Sequence, residues 1–348
     1  MSLRIQCALA IALSCIPLRV ISQEKSSGEG VTLLAFGDVN LGRAVGQRLL
    51  EGDLDFPFVY VRDSLKKANA VFVNLESQLT DRGGETQDPN DNLVFCGPTS
   101  GGRSLRQANI TVVSTANNHA YDYGLSGLRE TIESLRTAGV CFTGISEDST
   151  GAYPPAVVDL VTMRVGFVAY TQFVNGSAGW EGHISIFDER RAKREIGELR
   201  RQVDLIVASF HGGKEYVDRP GPTTLRQMRS LIDAGADLVI GHHPHYVQGI
   251  ELYKGKLIFY SLGNFVFYQP QREWALKGLG VEIRIGKSAG RAVLERVRLL
   301  PVRAGMQPSF SMTEAEETKM MERLALLSNV LIRNVDGSWL VETHDQTN

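Results

Sequence analysis

Short apolar runs recur along the chain, and polar or glycine-rich stretches separate them. The runs are rich in Val, Ile and Leu, which predicts strands that are buried on both faces. Six of them occupy residues 31–38, 69–76, 110–119, 163–171, 203–213 and 236–245. Apolar residues at helical spacing lie between some of these runs, at 124–140 and 223–237. The alternation of strands and helices predicts an α/β domain.

Polar side chains that can bind metal ions follow five of these predicted strands, at the point where each strand ends. In α/β sheets, ligands bind at the carboxyl ends of the strands. We therefore expect residues that are distant in sequence to converge on one edge of the sheet. The candidates are Asp38, Glu76, Asn118, His119, His211, His243 and His245.

Three histidines lie within the segment 242–245, in a chain that has only seven. His243 and His245 are two positions apart and can point to the same side. Taken alone, each residue has another interpretation, because a histidine at a strand end is often only hydrogen-bonded and Gly-Asp after a strand is usually a turn. Their joint occurrence at five strand ends favours a functional site.

Imidazole, carboxylate and amide groups suit a borderline divalent metal such as Mn, Zn or Fe. The candidates are too many for one four-coordinate site, so two metal ions that share a bridging carboxylate would use them better. Cysteines form no CxxC pair, and Cys7 and Cys15 lie in the first 22 residues. An exported protein allows a disulfide between Cys96 and Cys141, but the sequence does not show whether the two residues are close enough to form it.

The first 22 residues have the pattern of a secretory signal peptide. Arg4 precedes an apolar stretch at 5–16, and Val20 and Ser22 precede the expected cleavage site. An uncleaved membrane anchor, a buried first helix and a lipid anchor on Cys15 are the alternatives. A polar linker follows at 23–30. We therefore expect an exported protein, periplasmic or extracellular, with membrane association if an anchor is present.

The rest of the chain is expected to form one domain at 31–302 and a C-terminal helix and tail at 303–348. Two antiparallel strands are predicted from about residue 278, and one amphipathic helix at 313–332, followed by a polar tail. The chain has 348 residues and a formal net charge of −2. This charge gives no basis for binding nucleic acid.

Seven ordered motifs between residues 31 and 267 carry a family resemblance. They read LLAFGDVNLGR, FVNLESQLT, STANNHAYDYGLSGLRETIESL, FTGIS, HGGKEY, IDAGADLVIGHHPHYVQGIE and LIFYSLGNFVF. The chain resembles the CapA family of capsule and poly-γ-glutamate biosynthesis proteins, which is similar to calcineurin-like metallophosphoesterases. The resemblance implies an α/β fold of the calcineurin-like type, a four-layer α/β/β/α sandwich.

The resemblance also implies roles for the strand-end residues. Asp38 would bind the first metal ion together with His245, and Glu76 would bridge the two ions. The second ion would be held by Asn118, His211 and His243. His119 would act near the leaving group as the general acid.

Some positions depart from the phosphoesterase pattern. Asn40 stands where that pattern has a histidine, and Glu76 stands where it has a shorter aspartate. His242 is expected to orient a ligand or a substrate group. The candidates for the site wall or for contacts behind the ligands are Asn40, Asn117, Glu215, His242 and Asn264.

The implied function lies in the synthesis, export or anchoring of capsule or poly-γ-glutamate polymer. The partners would be an anionic polymer or a phosphoester substrate and a capsule-synthesis complex at the membrane. The first hypothesis is a dimetal hydrolase that cleaves a phosphoester or a γ-glutamyl amide bond. The second is a non-catalytic accessory protein that binds polymer and retains a metal site, and the third is a structural module with vestigial motifs.

Overall fold

The computed structural model describes residues 30–176 and 178–342, which form seventeen strands and seven α-helices. The strands are β1 Val31–Val39, β2 Ala70–Leu75, β3 Gln78–Leu79, β4 Cys96–Gly97, β5 Val112–Ser114, β6 Cys141–Thr143, β7 Ala156–Asp159, β8 Arg164–Thr171, β9 Leu205–His211, β10 Leu238–His242, β11 Ile250–Tyr253, β12 Lys256–Phe259, β13 Asn264–Val266, β14 Lys277–Ser288, β15 Arg291–Arg303, β16 Ile332–Val335 and β17 Ser338–Val341. The helices are α1 Arg43–Leu50, α2 Arg62–Leu65, α3 Gly101–Gln107, α4 Gly124–Ala138, α5 Glu189–Leu199, α6 Pro222–Asp233 and α7 Glu314–Leu327. Two 3₁₀ helices lie at Phe56–Phe58 and Glu273–Leu276. The expected signal peptide at 1–22 lies outside the described residues.

Most of the described strands belong to two sheets. The larger sheet has the order β16-β17-β15-β14-β1-β2-β5-β6, and β13 also pairs with β1. The smaller sheet has the order β11-β12-β10-β9-β8-β7. The central strands β1, β2, β5 and β6 run parallel to one another, as do β8, β9, β10 and β12. The carboxyl ends of the parallel strands therefore meet at one edge of each sheet.

The two sheets pack face to face through an apolar core. Phe72 of β2 stacks on Phe167 of β8 across this core, with ring centroids 5.5 Å apart. Within β1, Leu33 faces this core, whereas the adjacent Leu34 faces the other side of the sheet. That outer side is covered by α1, α2, α3 and α4, and the outer side of the smaller sheet is covered by α5 and α6. The layers confirm the expected α/β/β/α sandwich.

The C-terminal segment differs from its prediction. The helix begins with a capping box at Thr313 and ends at Leu327, and β16 and β17 then form a hairpin that extends the larger sheet. The prediction of a polar tail after the helix is therefore wrong for residues 333–342, beyond which the structure is not described. The helix ends because Ser328 and Asn329 accept hydrogen bonds from the backbone of β11. These tertiary contacts outweigh the helical pattern that continues to residue 332.

Cys96 and Cys141 do not form a disulfide in the structure. Cys96 lies buried in β4, and burial raises the pKa of its thiol to about 11. This side chain is therefore a neutral thiol at physiological pH. Among the described helices, none is both long enough and apolar enough to cross a membrane.

β1 and β13 approach each other closely at Gly37. A Cβ atom on this glycine would lie 1.7 Å from the carbonyl oxygen of Gly263. The approach lets the backbone N–H of Asp38 donate to that carbonyl at 3.0 Å, and it sets Asp38 opposite Asn264. Space, not a special backbone conformation, therefore requires glycine at position 37.

We expect Gly37→Ala to lower the free energy of unfolding by about 1–3 kcal/mol, because the two strands must move apart. Gly197→Ala is the matched control, since Gly197 lies inside α5 and no atom is within 4 Å of its Cβ position. The control should stabilise the protein by up to about 1 kcal/mol. Urea denaturation followed by circular dichroism measures both variants. Equal unfolding midpoints would contradict the assigned role of Gly37.

Candidate functional site

The residues that follow the predicted strands come together at one end of the sandwich. Asp38 lies near the end of β1, Glu76 follows β2, and His211 ends β9. The loop after β5 and the segment at the end of β10 supply the others. The predicted site residues that the structure buries are Asp38, Asn40, Glu76, Asn117, Asn118, His119, His211, His242, His243, His245 and Asn264. Glu215 differs from them, because it is exposed on the loop after β9.

Two groups of candidate metal ligands share Glu76. Ligand atoms of Glu76, His211 and His243 lie within 4.8 Å of one another, and the same is true of Asp38, Glu76 and His245. All of these side chains are buried. A carboxylate that is common to two ligand groups is what a bridged pair of divalent ions requires.

Some buried polar atoms in these groups make no hydrogen bond within the described part of the chain. They include Glu76 Oε1 and His243 Nδ1. Glu76 Oε1 lies 3.8 Å from His245 Nε2 and 4.0 Å from His211 Nε2, which is too far for hydrogen bonds. Unpaired polar atoms are costly in a buried place, and a cation between these side chains would satisfy them. The residues present therefore fit metal ions.

Two of the site histidines, His211 and His243, have the protonation state that metal binding needs. Burial, reinforced by the neighbouring His243, lowers the pKa of His211 well below its ordinary value. Burial and the adjacent His245 lower the pKa of His243 to about 3. Both imidazoles are therefore neutral at physiological pH, and a neutral imidazole nitrogen is the one that binds a metal ion.

The two carboxylates respond differently to burial. Burial alone would raise the pKa of Asp38, but contacts with His242 and His245 outweigh it and hold this pKa well below its ordinary value. His242 Nδ1 lies 3.3 Å from Asp38 Oδ1, and His245 Nδ1 lies 3.4 Å from Asp38 Oδ2. Burial and then the charge of Asp38 raise the pKa of Glu76 well above its ordinary value. Burial therefore favours the protonated form of Glu76, and a bound cation would favour the ionised form.

The segment that carries His243 and His245 has a strained backbone. Their φ angles are 96° and 56°, in the left-handed region that residues other than glycine rarely adopt. Two hydrogen bonds hold the segment: His243 N–H donates to Asp38 Oδ2 at 3.3 Å, and Tyr216 N–H donates to the Pro244 carbonyl at 2.9 Å. Strain of this kind concentrates at functional sites.

Asn264 fixes the orientation of His245. Its Nδ2 donates to Gln269 Oε1 and to the carbonyl of Ala275, both at 3.0 Å, so its Oδ1 faces His245 Nδ1 at 2.8 Å. An oxygen acceptor at this position requires the proton on Nδ1, which leaves the lone pair on Nε2. Asn264 thus contacts a candidate ligand directly, and it leaves Nε2 as the His245 nitrogen available to a metal ion.

Asn74 was missed by the sequence analysis, although it contacts three candidate ligands. Its Nδ2 lies 2.9 Å from Asp38 Oδ1, 3.4 Å from Glu76 Oε2 and 3.3 Å from His211 Nδ1. The residue lies inside the apolar run at 69–76. A single amide in a strand that is buried on both faces was the available signal, since buried polar groups need partners.

His119 lies outside both ligand groups but close to them. Its Nδ1 is 2.8 Å from Asp122 Oδ2, and its ring centroid is 4.2 Å from that of Phe95. Asp122 was not predicted, and its spacing of three residues from His119 was the available signal. Because Nδ1 faces Asp122, Nε2 is the nitrogen left for a substrate.

The remaining predicted residues are Asn118, expected to hold the second metal ion, and Asn117 and Asn40, expected in the site wall or behind the ligands. Asn118 Oδ1 lies 2.7 Å from His211 Nε2. Asn117 Nδ2 donates to the Leu75 carbonyl at 2.7 Å, which joins the loop after β5 to β2. Asn40 Oδ1 accepts a hydrogen bond from Gly42 N–H at 2.7 Å. The oxygen of Asn40 is thus used in the turn before α1.

Comparisons with known proteins agree on a family. A family model described as "Bacterial capsule synthesis protein PGA_cap" matches residues 32–269. Capsule biosynthesis protein CapA of Bacillus anthracis is 30% identical over 249 residues, which cover 69% of this chain and 61% of that protein. PGA biosynthesis protein CapA of Bacillus subtilis is 30% identical over 237 residues, which cover 67% of this chain and 62% of that protein. The chain therefore spans about three fifths of the length of these relatives.

Among solved structures, the calcineurin-like phosphoesterase YfkN from Bacillus subtilis is similar to this chain. The TM-score is 0.45 and the sequence identity 13%, over 85% of this chain and 97% of that chain. The family model covers more than half of the residues of this chain. The chain belongs to the bacterial capsule synthesis protein family PGA_cap.

Proposed function

We propose that this protein is a hydrolase that uses two divalent metal ions, Mn, Zn or Fe, in capsule polymer synthesis. The bond it cleaves is a phosphoester or a γ-glutamyl amide of an anionic substrate. The observation that carries the proposal is the pair of buried ligand groups that share Glu76. The names of two relatives, which refer to capsule and PGA biosynthesis, support the choice of process.

The chemistry follows from the ligand set. Bound at this site, two divalent ions would lower the pKa of a water molecule and stabilise charge on the reacting oxygens. Glu76 would contribute to both metal sites, with Asp38 and His245 on one side and Asn118, His211 and His243 on the other. Asn74 would fix the spacing of the ligands, because it contacts three of them.

His119 is placed to hold a proton at Nε2 and to transfer it to the leaving group. Asp122 keeps the ring in one orientation and stabilises its protonated form. Phe95 packs on the same ring and limits its movement. The His119–Asp122 pair would therefore provide the general acid.

The proposal includes export, because residues 1–22 have the pattern of a signal peptide. An exported protein would meet the capsule polymer outside the cytoplasm. Its partners would be that polymer and a capsule-synthesis complex at the membrane. Membrane attachment would depend on whether the leader is cleaved.

Metal analysis tests the shared ligand. We expect the wild-type protein to hold about two Mn²⁺ or Zn²⁺ ions per chain and Glu76→Gln to hold fewer than about one, because both sites lose a charged ligand. His245→Ala should lose one of the two ions. Elemental analysis after dialysis measures the content, with circular dichroism as the check on folding.

Glu251→Gln is the matched control for this experiment. Glu251 is also a buried glutamate, but it lies on the edge strand β11 and pairs with Arg229. Its variant should keep the wild-type metal content. The shared-ligand assignment is wrong if Glu76→Gln and Glu251→Gln bind the same amount of metal.

Turnover tests the hydrolase itself. We expect the Mn²⁺-loaded protein to cleave a generic phosphodiester or to release glutamate from poly-γ-glutamate, and a chelator should stop the reaction. His119→Ala should lower kcat by roughly 10²–10⁴-fold without changing the metal content, because it removes only the proton donor.

His183→Gln is the control histidine, since its Nδ1 is held by the Ser146 carbonyl. It should retain wild-type turnover. Polymer binding without any turnover by the metal-loaded wild type would instead support the accessory, non-catalytic function.

A further inference from the structure

Arg43 lies at the rim of the site on two aromatic rings. Its guanidinium carbon is 4.8 Å from the ring centroid of Phe95 and 5.8 Å from that of Phe267. Each of these rings packs on a site histidine: Phe95 on His119 at 4.2 Å and Phe267 on His245 at 4.9 Å. The charge of Arg43 is therefore held next to the general acid and a candidate metal ligand.

Arg272 also lies over an aromatic ring that packs on His245. Its guanidinium carbon lies 4.8 Å from the ring centroid of Tyr216, and Tyr216 stacks on His245 at 5.7 Å. The Tyr216 hydroxyl accepts a hydrogen bond from Gln269 at 3.0 Å, and Gln269 in turn accepts one from Asn264. The Tyr216 ring under Arg272 is thus linked by hydrogen bonds to Asn264, which orients His245.

Neither guanidinium is within ion-pair distance of a carboxylate in residues 30–176 and 178–342. In that part of the chain, the hydrogen bond of the Arg43 side chain runs from Nη2 to the Asn92 carbonyl at 2.6 Å. Arg48, on the same helix, is also stacked on a phenylalanine, but it pairs with Glu51 and Asp53. A guanidinium that packs over an aromatic ring without an acidic partner keeps N–H groups for an external oxyanion.

At the rim of the site, formed by Arg43, Tyr216 and Arg272, two residues share the strained backbone conformation of the segment that carries His243 and His245. Arg43 and Tyr216 have φ angles of 54° and 58°, like His243 and His245. Thr86 holds Arg43 in this conformation: its carbonyl accepts from Arg43 N–H and its hydroxyl donates to the Arg43 carbonyl, both at 2.8 Å. Such strain persists only where the surrounding structure imposes it, which indicates that the position of Arg43 is functional.

The other residues with this backbone are different. The four described non-glycine residues with positive φ away from the site lie in turns, and three of them directly precede a glycine. They are Asn109, Lys254, Ala289 and Asp336. Tyr216 also lies in a turn, so among the described residues the positive φ angles that a turn does not explain are those of Arg43, His243 and His245.

We propose that Arg43 and Arg272 bind oxyanion groups of the substrate, carboxylates or phosphates, so that the site prefers a polymer with repeated negative charges. The inference deepens the proposed function, because it names the class of substrate for the same site. Planar guanidinium groups bind such oxyanions through two parallel hydrogen bonds. Two of them near one site would bind successive anionic groups of the same chain.

Binding without turnover tests this proposal. Affinities for an oligo-γ-glutamate and for linear tripolyphosphate are measured by calorimetry, with and without chelator, so that binding is read independently of catalysis. We expect Arg43→Gln and Arg272→Gln each to weaken binding of at least one anion by roughly tenfold and the double variant to weaken it further. The affinity of Arg43→Lys should lie between those of the wild type and Arg43→Gln, because lysine keeps the positive charge but cannot form two parallel hydrogen bonds.

Arg48→Gln is the control and should bind like the wild type. Weaker binding of oligo-γ-glutamate identifies carboxylate as the recognised group, and weaker binding of tripolyphosphate alone identifies phosphate. Either result supports anion binding by Arg43 and Arg272. Unchanged binding of both anions by the double variant, or no binding by the wild type, overturns it. If the wild type binds the anions but never turns over substrate, the proposed hydrolase activity is wrong and the proposed role of the two arginines is retained. If the wild type turns over substrate and the double variant binds both anions like the wild type, the hydrolase activity is retained and the role of the arginines is wrong.

Discussion

Asp38 and Glu76 lie together at neighbouring strand ends where both side chains are buried. Two carboxylates this close cannot both be ionised in a dry place unless positive charge compensates them. His242 and His245 provide enough contact to keep Asp38 ionised, but the pKa of Glu76 remains raised by burial and by Asp38. His211 and His243 are held neutral by burial, so these two cannot supply the missing charge. A divalent cation would resolve this conflict, with the neutral imidazoles as its ligands.

The fold delivers this arrangement through close strand contacts. Asp38 pairs in register with Asn74 of β2 and with Asn264 of β13, so the amides that orient the ligands come from its direct neighbours. His211 and His242 are paired in the other sheet. The sandwich brings the two pairs together at one end. Asp38 and His211 thus lie on strands, and Glu76 and His243 directly follow strand ends, which favours a precise site.

The strand-end pattern made much of the site predictable, because residues such as Asp38 and His211 follow apolar runs that can only be buried strands. Asn74 was not predictable in this way, since it lies inside such a run and its function depends on neighbours from two sheets. The rim was missed for the same reason: Arg43 depends on Thr86, and no local pattern joins the two. The hairpin after α7 was hidden by a helical pattern that contacts with β11 interrupt.

Two features are hard to explain if the site serves only to bind metal ions. His119 belongs to neither ligand group, yet it is buried against Asp122, and burial raises the pKa of that aspartate even though the contact with His119 lowers it. A buried acid beside a histidine costs free energy that metal binding does not require. The strained Arg43 is a second cost outside the ligand groups. Proton transfer by His119 and recognition of an anionic chain by Arg43 would explain both, which supports the proposed action on a polymer over a site that only holds metal.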